Sequence, residues 1–133
     1  MEDYIFSMEM QVRDYELDSE GIVNNANYLH YLEHTRHEFC AQKGISFSEM
    51  QKRGIVPVLS KVEIEYKHSL VSGDSFVSKL WMERQGVRFV FHQDIFKTTG
   101  ESVVKALISC VCLENGRLSR GDCLAEIFKN YLR

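Results

Sequence analysis

The sequence predicts an α+β protein in which one long helix is followed by a meander of mainly antiparallel strands. Three observations predict it. Between Ala26 and about Lys43, Tyr28, Leu32, Thr35 and Phe39 recur at helical spacing, with Leu29, Tyr31 and Cys40 widening the apolar stripe. From Val56 to Lys67 apolar and charged residues alternate with a period of two. Three further strand-like runs then follow, over 75–83, 87–97 and 101–113, separated by turns at Gly86 and Gly100.

Taken in order, Ile5 to Arg13 alternates well enough for a first strand, with Phe6, Met8, Met10 and Val12 on one face. Asp18 to Asn25 forms a loop in which Gly21 lets the backbone turn tightly, and Asn24 or Asn25 can cap the helix that begins near Ala26. Gly44 is a natural stop. Ser46 to Lys52 predicts a short second helix with Ser46 capping and Glu49 three residues on. In the next strand Val56, Val58, Val62, Ile64 and Tyr66 are expected on one face and Lys61, Glu63, Glu65 and Lys67 on the other, with Pro57 near the start, where a missing N–H is tolerated. The run Val103 to Leu113 is apolar on both faces and is expected to be covered on both. One helix covers only one, so a subunit partner, giving at least a dimer, is the simplest cover for the remainder. Gly121 to Arg133 reads as a C-terminal helix.

The 133 residues, 44% hydrophobic and 26% charged, suit one compact domain over 1–133. A net charge of −3 argues against a nucleic-acid surface, and no apolar run reaches membrane-spanning length, so a cytoplasmic protein is expected. Cys40, Cys110, Cys112 and Cys123 form no Cys-x-x-Cys pair and read as reduced core thiols, Cys110 and Cys112 pointing the same way from one strand.

The chemical centre is the loop before the helix. First-turn N–H groups have no helical partner and form a site for negative charge. A carbonyl oxygen held there is polarised, with Asp18 a few residues upstream to reach its carbon. The run Asp18, Gly21, Val23, Tyr28, followed by Tyr31-Leu32-Glu33 and Arg36, resembles the signature of the hotdog-fold acyl-CoA thioesterases, specifically the 4-hydroxybenzoyl-CoA thioesterase-like group. The likeness spans nearly the whole chain and includes turns at Gly73-Asp74, Thr99-Gly100-Glu101 and Asn115-Gly116-Arg117.

The resemblance implies a hotdog fold, an oligomer and hydrolysis of an acyl-CoA thioester, with no metal or cofactor required. It makes Asp18 the nucleophile or the general base, and gives the Asn25 N–H the oxyanion role. Gly21 supplies the turn, while Tyr28 either lines the acyl pocket or is plain core. Lys61, Arg84 and Arg88 are the candidates for the phosphates of coenzyme A. Plant-type acyl-carrier-protein thioesterases use an Asp-x-Asn-x-His set that falls here on Asp18, Glu20 and Ile22, so only the aspartate survives. Glu33 is a rival carboxylate on the helix, although Arg36 three residues on offers it a partner. His30-Tyr31-Leu32-Glu33-His34 matches a zinc pattern but lacks a third ligand, and His30, His34 and His37 follow a solvated face. The competing functions are a hydratase or dehydratase on acyl thioesters and a non-catalytic thioester-binding protein. Tyr28, Tyr31, Phe47 and Met50 suit an aromatic or an aliphatic acyl group equally.

Overall fold

In the computed structural model, which describes residues 3–133, the sheet runs in the order β1-β3-β4-β5-β2, with a short β6 added beside β5. The strands are β1 (Phe6–Gln11), β2 (Ile55–Tyr66), β3 (Ser75–Gln85), β4 (Arg88–Lys97), β5 (Ser102–Glu114) and β6 (Arg117–Leu118). All their pairings are antiparallel. The helices are α1 (Asn25–Gln42), α2 (Phe47–Lys52) and α3 (Asp122–Phe128). This is an α+β hotdog arrangement, in which a curved sheet wraps one long helix.

Asn24 starts α1, its side chain accepting from the Ala26 N–H at 2.9 Å, and Gly44 follows its end at a φ of 72° that an L-side chain resists. Ser46 caps α2 by accepting from the Glu49 N–H. The buried side of α1 presents Tyr28, Leu32, Thr35 and Phe39 to the concave face of the sheet, where Phe76, Leu80, Ile95 and Ile108 are fully buried. Polar anchors set the helix on the sheet. The Thr35 hydroxyl donates to the Tyr31 carbonyl, so the Ser78 hydroxyl donates to Thr35. Buried Gln93 donates to the Leu32 carbonyl at 3.1 Å.

Four expectations are corrected. The register of β2 on β5 shifts between Leu59 and Lys61, leaving Ser60 as a bulged residue whose hydroxyl donates to the Ser109 carbonyl. An extra residue reverses the alternation, so Val56 and Val58 share the convex face with Lys61, Glu63 and Glu65, while Leu59, Val62, Ile64 and Tyr66 face the helix side. Leu29 is 39% exposed and lies outside the buried stripe. The C-terminal helix stops at Phe128, after which Leu132 bridges to Met82 and Arg133 N–H donates to the Met82 carbonyl, covering β3 beyond the start of β1. Cys123 is exposed, although all four cysteines are free. The convex side of β5 is only partly covered: Leu107, Val111 and Leu113 are half-buried and Lys105 is exposed.

Candidate active site

The loop leading into α1 is folded back on itself. Leu17 bridges Val23, the Asp18 N–H donates to the Ile22 carbonyl, and the Gly21 N–H donates to the Asp18 carbonyl. Gly21 turns the chain at a φ of 81°, with open space where a Cβ would sit, so glycine is needed there for conformation and not for room. The loop is tied down by Val23 N–H to the Leu70 carbonyl and Asn24 N–H to the Glu16 carbonyl.

Asp18 is half-buried and its Oδ1 accepts from the Glu20 N–H at 2.8 Å. Its Oδ2 has no partner among the described residues. Asn25 is the first residue of α1, and its backbone N–H donates to nothing among the described residues. No acidic residue lies in that first turn, so the positive end of an 18-residue helix is left without a carboxylate of its own. The loop therefore brings a carboxylate and an unpaired N–H onto the same short stretch of chain.

Tyr28 is buried, its hydroxyl accepting from the Leu70 N–H at 3.0 Å and its ring 5.6 Å from that of Tyr66. Burial pushes its phenol up, and Asp18 adds to the shift through space. Behind it, Tyr31 donates to buried Glu16 at 2.8 Å, and burial followed by that bond raises the Tyr31 phenol well above its ordinary value.

The three basic candidates are not gathered at the loop. Lys61 is on the convex face, paired with Glu63 at 2.9 Å. Arg88 is exposed on the same face. Arg84 is spent on the β3–β4 turn and the start of α3, donating to the carbonyls of Gly86 and Arg120 and to Asp122 at 2.8 Å. Glu33 is exposed, as are His30, His34 and His37. Among the described residues no three His, Cys, Asp or Glu side chains are grouped to hold a metal.

Arg36 corrects the expected pair with Glu33. It turns inward, donating from Nη1 to Gln93 Oε1 at 2.8 Å with the Phe91 ring 6.0 Å away. The signal available in the sequence is its position, four residues after Leu32 and four before Cys40, on the apolar side of the helix. Gln93 carries no such signal, because alternation along β4 does not say that a polar side chain will be buried.

A curved antiparallel sheet curled round one long helix defines the class of hotdog-fold proteins. The family model described as the thioesterase-like superfamily matches residues 12–124, and the chain belongs to that superfamily. It is 38% identical over 110 residues to the chloroplastic acyl-acyl carrier protein thioesterase ATL3 of Arabidopsis thaliana, covering 81% of this chain and 58% of that one. The chain thus spans less than two thirds of that relative. It is 31% identical over 108 residues to the long-chain acyl-CoA thioesterase FadM of Escherichia coli, covering 80% and 81% of the two chains. A crystal structure of a hypothetical protein from Aquifex aeolicus superposes with a TM-score of 0.83 at 31% identity, covering 96% of this chain and 99% of that one. No helix among the described residues is long and apolar enough to cross a membrane.

Proposed function

We propose that this protein hydrolyses acyl-CoA thioesters to the free acid and coenzyme A. The observation that carries the reading is the Asp18 carboxylate and the unpaired Asn25 N–H on one loop, in a chain of the thioesterase-like superfamily. The thioester carbonyl accepts from the Asn25 N–H at the positive end of α1, which stabilises the negative oxygen of the tetrahedral intermediate. Asp18 acts in one of two ways. As a base, it takes a proton from water while the water oxygen bonds to the carbonyl carbon. As a nucleophile, its oxygen makes that bond itself and a mixed anhydride is then hydrolysed. In either case the C–S bond breaks and coenzyme A leaves as the thiolate, which then takes up a proton. The names of FadM and ATL3 support acyl thioesters as the substrate class. No metal or cofactor enters this scheme.

The site is completed by a second copy. β2 is an edge strand, and its helix-side residues Leu59, Val62 and Tyr66 are 51%, 37% and 45% exposed. A second chain pairing along that edge extends the sheet and roofs the space between β2 and α1, giving a homodimer or a pair of dimers.

Asp18→Asn is the direct test, because an amide oxygen still accepts from the Glu20 N–H and the loop keeps its shape. Turnover should fall at least about a hundredfold, the low end for deleting a proton-transfer group, with substrate binding retained. If Glu33→Gln causes that loss and Asp18→Asn does not, the site is misassigned. Following free thiol over a panel of acyl-CoA esters separates hydrolysis from hydration and from simple binding, because only hydrolysis liberates the thiol.

A further inference from the structure

A cavity of about 160 Å³ lies under the second half of α1, with Arg36 in a wall formed by Cys40, Phe47, Leu59, Phe89 and Cys110. Apart from Arg36, His37 and the two thiols, its lining is apolar. An arginine does not escape burial by losing its proton. Its charge must be met by an acceptor. Gln93 meets one of five N–H donors with a neutral oxygen, and no other hydrogen bond or ion pair of this guanidinium forms among the described residues. Glu33, on the exposed side of the helix, reaches it only through space. Arg36 is half-buried and none of its nitrogens is both buried and unpartnered, so the donors that Gln93 does not take are open to solvent and free to receive an acceptor from a ligand.

The cavity and the proposed thioester site lie along the same helix. Arg36 follows Asn25 by eleven residues, three turns of the same helix, which puts both on one side of α1 about 16 Å apart. β2 runs alongside: Tyr66 meets Tyr28 near the start of α1, while Leu59 meets Arg36 and Cys40 in the cavity. Between these ends Leu29 on α1 and Val62 on β2 are exposed apolar side chains, and an alkyl chain laid in a trough between the two elements would rest on them.

We propose that Arg36 is a specificity residue at the far end of this trough, selecting long acyl chains that carry an acceptor oxygen, a carboxylate above all, at their distal end. The inference rests on the hydrolase reading for the position of the thioester. A bare alkyl end strips water from the guanidinium without replacing it, whereas a carboxylate supplies a paired, charge-assisted acceptor.

The test compares kcat/KM for a long-chain ω-carboxyacyl-CoA with that for the plain acyl-CoA of equal carbon count. The ratio within one protein is independent of how much of it is folded. Wild type should favour the carboxylate at least about tenfold, the low end for a hydrogen bond to a charged group. Arg36→Met should bring the ratio below one, and Arg36→Lys, which keeps the charge, should retain a preference. Equal ratios in wild type and Arg36→Met overturn the inference. Titration calorimetry with the free long-chain dicarboxylic acid keeps the two proposals apart. Acid binding that weakens at least about tenfold in Arg36→Met, with no thiol released from any ester, supports the Arg36 site and defeats the hydrolase. Hydrolysis without an Arg36-dependent ratio does the reverse.

Discussion

The turn at Gly21 and the helix start near Asn25 were legible because both are local. A left-handed turn and a helix start are set by neighbours in the chain, and hydrogen bonds among residues 18–22 close that turn. Arg36 was not legible in the same way, since its pairing depends on which way a long side chain leaves the helix. The cysteines show the same division. Cys40 is buried and its thiol is pushed up from 9.0 to about 11, chiefly by desolvation, with Arg36 opposing. The folded thiol holds its proton at a pH where the unfolded thiol has lost it. Its contribution to stability is therefore whole below about pH 9 and is lost as the pH rises towards about 11. Urea denaturation across that range should show falling stability, and Cys40→Ala should flatten the fall. An unchanged slope would mean that Cys40 does not titrate as its burial requires.

Helix α1 follows from its sequence almost end to end, because its cap at Asn24 and its stop at Gly44 are short-range chemistry. β2 does not. Alternation predicts one apolar face, but the bulge at Ser60 swaps the two halves of the strand, and that bulge exists only through pairing with β5. Deleting Ser60 joins Leu59 to Lys61 in unbroken alternation opposite Cys110 and Ser109, so each side chain of β2 keeps its face. Denaturant midpoints should therefore show a loss of only about 1 kcal/mol, the size of the Ser60 hydroxyl bond to the Ser109 carbonyl. A loss of several kcal/mol would show that the bulge does more than take up one extra residue. Gly21→Ala should cost about 1 kcal/mol, the penalty of a left-handed backbone for an L-side chain without any clash.

The assembled sheet has two ends of different character. Beyond the start of β1 the chain's own C-terminus covers the edge of β3, through Leu132 and Arg133, whereas β2 is left open with apolar side chains beside it. Sedimentation should therefore give at least twice the 15.5 kDa chain mass, and Val62→Lys should shift the protein towards single chains and lower turnover together. A wild-type monomer with full activity would refute the shared site.

By itself the sequence determined the element order, the helix and its ends, the turn at Gly21 and the candidate carboxylate, since each rests on periodicity or on contacts a few residues apart. Only the tertiary structure decided the faces of β2, the inward turn of Arg36 towards Gln93, the burial of Glu16 beneath Tyr31 and the dispersal of Lys61, Arg84 and Arg88. Those outcomes depend on groups brought together from distant parts of the chain, where register and side-chain direction, and not local pattern, choose the partner.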